Sequence, residues 1–279
     1  MTNPSFLSQV FPFQEGIRMR FDLIGSRESG AVAILYVGEG EDPKKAAEEI
    51  MRRHRHVKSV LLRIGPRNGT YRLRPLILLI GDEDTEVIHK EHGYRLKLDP
   101  TKVYFSPREA TERRLIAEQV SPGERVLVMF AGVGPFAIAI AKFQPQVKEV
   151  VGVEINESAY KYFVENVRMN KVEGKVKPIL GDVRDVCPSM FGTFNRVLMP
   201  LPKGAYEFLD LGLMSLKGPK GILHFYYWGG EKAHQEAITM VGQKARELGL
   251  RVEPLFWRRV SAYSPRKWKI RVDFRVLIG

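Results

Sequence analysis

Gly132, Gly134, Glu154 and Asp182 are the residues whose types and spacing point to chemistry. FAGVGPF puts two glycines where the chain turns sharply and a ligand can approach the backbone, and Pro135 suits the first position of a following helix. About twenty residues on, an apolar run ends at Glu154, a carboxylate placed to accept hydrogen bonds from two ribose hydroxyls. A third run ends in Gly181-Asp182, and Asp182, with Val183 beside it, fits an adenine amino group by the same geometry. Taken singly, each carboxylate reads better as a polar strand end or a helix cap. Their joint position after successive strands favours a nucleoside cofactor. Two cofactors fit. GVGPFA satisfies the dinucleotide fingerprint, but no second glycine turn follows the later strands, as a second mononucleotide-binding half would require. The other is S-adenosylmethionine.

The elements that must position these residues alternate. RVLVMF, VKEVVGVEI, VKPILGD, NRVLMP and GILHFYYW read as strands, and PFAIAIAKF, ESAYKYFVENVRMN, GAYEFLDLGLMSL and about Glu231–Leu248 as helices. A helix from about Pro107 to Val120 precedes them, with Ser106 as N-cap and Glu109 completing a capping box. That rhythm predicts an α/β, doubly wound, mostly parallel sheet. VEPLFWRRVSAY and WKIRVDFRVLIG, joined by SPRK, close the chain as a hairpin and predict an antiparallel edge. Such an ending is usual in adenosylmethionine transferases, not in dehydrogenases. The first hundred or so residues read as a smaller α+β unit. It has four short strands, a helix entered at Asp42-Pro43, and a hairpin around His92-Gly93. The expected domains are 1–104, a small α+β unit, and 105–279, a Rossmann-like adenosylmethionine-binding catalytic domain.

Three segments carry a specific resemblance: VYFSPREATERRLIAEQV; VLVMFAGVGPFAIAIAK with VVGVEINESAYKYFVENVRMN; and NRVLMPLPKGAYEFLD. Over about residues 17–279 the chain resembles the archaeal and eukaryotic tRNA guanosine-37 methyltransferase family. It also resembles that family's close relative, the wybutosine-pathway tRNA(Phe) aminocarboxypropyl transferase. The resemblance implies a class I, Rossmann-like transferase domain after a small α+β domain, with adenosylmethionine as donor. It implies tRNA as acceptor, modified at the purine beside the anticodon. The methyltransferase usually carries N-L-P or N-P-P where this chain has MPLP, its asparagine lying beside the reactive end of the cofactor. Pro200 has no side-chain amide, so the resemblance favours transfer of the 3-amino-3-carboxypropyl group to a 4-demethylwyosine-type base at position 37, releasing methylthioadenosine. The shortness of the chain is read the same way. N1-methylation of guanosine-37 is the alternative.

The same resemblance assigns Ser106 and Arg113 to the carboxylate of the methionyl arm, alternatives being a capping serine and a solvated arginine. Glu112 matches a glutamate that acts as base in the methyltransferases, but reads equally as a surface helix residue, and the catalytic base is left unassigned. Arg72 and Arg74 match a basic segment of the family.

A formal charge of +12 over 279 residues attracts polyanions. Arg52, Arg53, Arg55, Arg258, Arg259, Arg266 and Lys267 are candidates to track phosphates, and Trp257, Tyr263 and Trp268 to stack on a base. One cysteine, Cys187, excludes an internal disulfide, and the histidine spacings suggest no metal site. The longest apolar stretch is broken by Gly132, Gly134 and Pro135, so no membrane span is expected. A cytoplasmic monomer is the resulting expectation.

Overall fold

A computed structural model describes residues 20–65, 73, 75–201 and 204–278. Arg72 and Arg74, and the side chain of Tyr263, lie outside the described residues. The chain divides into two compact units, Met1–Arg108 and Glu109–Gly279, a few residues beyond the expected boundary.

The first unit is built on strands β1 (Arg20–Ser26), β2 (Gly30–Tyr36), β3 (Val57–Arg63) and β4 (Leu76–Gly81), in that spatial order. Helix α1 (Pro43–Arg53) makes the crossover that lets β2 and β3 run parallel. It starts where Asp42 accepts hydrogen bonds from the Lys44 and Lys45 amides. Its Ala46, Ala47 and Ile50 are buried with Ala31, Ala33, Leu35, Val57 and Val60 of the sheet. Strands β5 (Val87–Glu91) and β6 (Tyr94–Leu98) form the second hairpin of this unit. Its turn is His92-Gly93, both with positive φ, as a tight hairpin turn demands.

The second unit opens at Glu109, the last residue of a 3-10 turn (Pro107–Glu109) that leads into helix α2 (Ala110–Ala117), shorter than the sequence pattern suggests. Then follow β7 (Arg125–Met129), α3 (Pro135–Phe143), β8 (Glu149–Glu154), α4 (Glu157–Met169) and β9 (Val176–Leu180). A short helix, α5 (Val183–Val186), crosses to β10 (Arg196–Met199). Next come α6 (Leu209–Ser215), β11 (Ile222–Gly229), α7 (Ala233–Glu247), β12 (Leu250–Ser264) and β13 (Lys267–Ile278). The spatial order is β12-β13-β11-β10-β7-β8-β9. Strands β8, β7, β10 and β11 pair in parallel, and the order reverses at β7, whose neighbours are β8 and β10. In such sheets ligands bind outside the carboxyl ends of the strands at that reversal.

The terminal hairpin is present and gives the sheet its antiparallel edge: the last strand inserts between β11 and β12, antiparallel to both, so the edge strand β12 runs in the direction of β11. The turn is also tighter than SPRK implied, because only Pro265 and Arg266 separate the strands, Arg266 with φ 57°. Register shifts at three points along β12 absorb its extra residues, one of them beside Pro254, which cannot donate to the ladder.

Alternation sorts the sheet into two faces. Leu127, Met129, Val197, Met199, Leu223, Phe225, Ile270, Val272 and Phe274 pack with α5, α6 and α7 in one apolar core. The alternate residues of β10, β11 and β13 include Arg196, His224, Tyr226, Lys269, Arg271 and Asp273, all buried on the opposite face.

Candidate active site

The glycine turn leaves β7 through Phe130 (φ 62°), Gly132 (φ 59°) and Gly134 (φ 86°), and Gly134 caps α3 with Pro135 behind it. Gly134 is required for a second reason. A Cβ there would lie 2.0 Å from the Phe163 ring of α4, and one on Gly152 of β8 would lie 2.5 Å from the same ring. Phe163 is fully buried in the notch the two glycines leave. Three residues further along α4, the buried Asn166 donates to the Val133 carbonyl at 3.0 Å. Helix α4 therefore holds the turn in shape from below. Neither residue was singled out from sequence, although a phenylalanine and an asparagine three apart on one helix face were the signal available.

Glu154 ends β8 with 9% of its surface exposed. Its Oε2 accepts from the Gly132 amide at 2.6 Å and its Oε1 from the Asn156 amide at 2.8 Å. The carboxylate is thus clamped between the glycine turn and the entrance of α4. Burial raises its pKa, and the amides of Asn156 and Gly132 work against that rise. Each oxygen has a further acceptor position, so the donor set of two vicinal hydroxyls fits here. Asp182 is the N-cap of α5, accepting from the Arg184 amide at 2.8 Å, and Val183 is buried as the first residue of that helix. The helix-cap reading of Asp182 is what the geometry shows, and it leaves acceptor capacity on the same carboxylate.

Arg113 is buried on α2, 2% exposed, which removes the solvated-arginine reading. Ser106 belongs to the first unit. Glu112 is not a surface residue either. It is 3% exposed, and its Oε1 accepts from the Tyr226 hydroxyl at 2.8 Å and from the Arg271 guanidinium. Arg258 stands 3.6 Å from its other oxygen. One turn earlier, Glu109 accepts from the Lys269 ammonium at 2.8 Å. The cluster continues through Arg271 and Asp273 to His224 and Arg196. Arginine can only donate, so His224 Nε2 accepts from Arg196 and Nδ1 carries the hydrogen given to Asp273 at 2.6 Å. Burial lowers the His224 pKa, in keeping with a neutral ring. Sequence reading missed this cluster. Lys269, Arg271 and Asp273 alternate with Ile270, Val272 and Phe274 and look like the wet face of a terminal hairpin, whereas all three are buried and bonded to Glu109, Glu112 and His224.

Other candidates are partly engaged. Arg52 and Arg53 both pair with Glu49. Trp257 stacks on His234 with centroids 4.2 Å apart, and Arg259 lies 3.9 Å over Trp268. Among the described residues no group of His, Cys, Asp or Glu side chains is placed to hold a metal ion, and no helix is long and apolar enough to cross a membrane.

The reversal of strand order, the glycine turn at that point and the buried strand-end glutamate define a class I, Rossmann-like adenosylmethionine-dependent transferase. The chain belongs to the TRM5/TYW2 methyltransferase domain family, whose model matches residues 87–253. It is 40% identical over 261 residues to the tRNA (guanine(37)-N(1))-methyltransferase Trm5b of Pyrococcus abyssi, covering 92% of this chain and 74% of the relative. The tRNA 4-demethylwyosine(37)-methyltransferase Taw21 of Saccharolobus solfataricus is 31% identical, over 94% and 95%. The tRNA(Phe) (4-demethylwyosine(37)-C(7)) aminocarboxypropyltransferase of Methanocaldococcus jannaschii is 34% identical, over 81% and 88%. Among solved structures, P. abyssi Trm5b superposes with a TM-score of 0.82 at 36% identity, over 100% of this chain and 82% of that one. P. horikoshii TYW2 in complex with MeSAdo superposes with 0.78 at 29%, over 93% and 91%.

Proposed function

We propose that the protein transfers the 3-amino-3-carboxypropyl group of adenosylmethionine to the 4-demethylwyosine-type base at position 37 of tRNA(Phe), in its anticodon region. The carrying observation is Pro200. It follows β10, the strand next to β7 across the reversal, and its side chain offers neither donor nor acceptor to a group in the crevice. A methyl-directing amide is therefore missing at the place where the resemblance puts one.

The donor, when bound, supplies a sulfonium with three carbons open to attack. In-line presentation of the γ-carbon to an electron-rich ring carbon forms a carbon–carbon bond and breaks the carbon–sulfur bond, whose electrons stay on sulfur. The ring carbon's proton is then lost. Glu154 accepts the ribose hydroxyls, Gly132 lets the backbone approach, Asp182 and Val183 border the adenine, and Ser106 and Arg113 seat the methionyl carboxylate. The first unit and the basic terminal hairpin meet the tRNA.

Methyl transfer to the position-37 base is the second reading, and the relatives favour it. Two of those described are methyltransferases, and the Saccharolobus one matches over 95% of its own length, so chain length does not separate the chemistries. Incubation of tRNA with adenosylmethionine labelled separately in the methyl and carboxyl carbons decides between them. Carboxyl label in the tRNA is the expected result, and methyl label overturns the first reading.

A further inference from the structure

Lys269 lies at the carboxyl end of the sheet, where the third residue of β13 pairs with Trp228 near the end of β11. Its side chain is 3% exposed. A buried ammonium is costly unless it is paired, and Glu109, 2.8 Å away, supplies the counter-charge. A structural ion pair would need nothing more. Here Nζ also donates to the carbonyl oxygen of Pro200 at 3.3 Å and lies 4.8 Å from the centroid of the Tyr226 ring. One N–H meets a carboxylate, one a carbonyl and the third an aromatic face, so all three donors of the ammonium are used.

The Pro200 contact matters because of what proline lacks. It has no backbone N–H, and its ring makes no hydrogen bond. Its carbonyl is the one polar handle by which residue 200 can be held. That residue directly follows β10, beside the reversal of strand order where ligands of such sheets bind.

We propose that Lys269 is a positioning residue of the transferase. By gripping the Pro200 carbonyl and the Glu109 carboxylate together, it fixes the end of β10 and the Pro200–Leu201 segment against the entrance of α2, and so sets the angle at which donor and acceptor meet. The inference rests on the reading of that segment as the wall beside the reactive end of the donor. It holds whichever group is transferred.

Three variants test it: Lys269→Arg, Lys269→Met, and Lys269→Met with Glu109→Gln. The single Met change strands a buried carboxylate and is expected to lower Tm. The double change removes both charges and keeps the side-chain lengths, so folding is restored without the grip on Pro200. For the double variant we expect adenosylmethionine affinity by calorimetry within about threefold of the parent, and kcat at least tenfold lower at unchanged tRNA KM. Lys269→Arg, which can still donate to both partners, is expected to keep kcat within about threefold. A double variant with the parent's kcat would show that Lys269 only balances Glu109, and would overturn the proposal. Transfer is followed with whichever carbon label the parent chain delivers, so the identity of the group and the role of Lys269 are read separately.

Discussion

At the scale of single residues, the site turns on carboxylates whose environments differ. Glu154 is held by two backbone amides and keeps two acceptor positions toward the crevice. Hydrogen bonds to a charged acceptor contribute roughly 1.5–3 kcal/mol each, so Glu154→Ala is expected to weaken adenosylmethionine binding by at least about tenfold. Glu154→Gln, which retains one carbonyl oxygen, is expected to lose less, and titration calorimetry orders the two. An alanine variant that binds like the parent would remove Glu154 from the ribose site. His224 makes a prediction about pH. Its folded-state pKa is lowered by burial, so the unfolded chain takes up a proton near pH 6.5 that the folded chain refuses. Stability from this residue is fully present above that pH and is lost as pH falls below it, by up to about 1.4 kcal/mol per pH unit. Neighbouring Asp273 is also buried, but His224 and Arg271 lower its pKa, and its contribution is lost only at more acidic pH. Urea midpoints between pH 7.5 and 5.5 should fall for the parent and stay nearly level for His224→Gln.

At the scale of elements, the glycine turn works because another helix shapes it. Gly134→Ala would place a Cβ 2.0 Å from Phe163 and hold an alanine at φ 86°. Overpacking and left-handed strain together cost about 2–4 kcal/mol, which calorimetric scanning should show as a clearly lower Tm with adenosylmethionine binding lost. Shortening the obstacle in Gly134→Ala/Phe163→Leu should recover part of that stability, whereas no recovery would mean that the ring is not the obstacle. This element also shows what the sequence could reveal. Gly132, Gly134, Pro135 and Glu154 were legible because turn geometry and strand-end position are local properties of the chain. The sheet was legible through its alternation with helices. The clamp of Phe163 and Asn166 on the turn was not, since it depends on which face of α4 meets β8. The buried charges of β13 were hidden for a related reason. An alternating strand shows which residues share a face, but only the tertiary packing that brings Glu109, Glu112 and His224 to Lys269, Arg271 and Asp273 decides that these are dry. Asp182 sat between these cases: its position after a strand was visible, while its bond to the Arg184 amide depended on a one-turn helix too short to leave a pattern.

At the scale of the whole molecule, charge is the property that couples this fold to a polyanion. The excess of +12 is spread over the chain, and part of it is internally spent: Arg196 and Lys269 are buried in ion pairs and contribute little field outside. The terminal hairpin is different. At its tip Arg266 is exposed in the two-residue turn and Lys267 at the start of β13, with the exposed Arg259 further down β12. Each phosphate such a side chain neutralises releases counterions and adds about 0.7–0.9 to the slope of log affinity against log salt. With about six contacts in all, tRNA binding should weaken roughly a thousandfold between 50 and 200 mM salt. If the hairpin tip supplies two of those contacts, Arg266→Ala/Lys267→Ala should reduce the slope by about 1.5 and leave adenosylmethionine affinity unchanged. A slope equal to the parent's would move the tRNA to another surface. Electrostatic attraction of this kind positions the nucleic acid without reading its sequence. On the proposed function the choice of base is made in the crevice, and the same double variant should bind every tRNA more weakly without losing its preference among them.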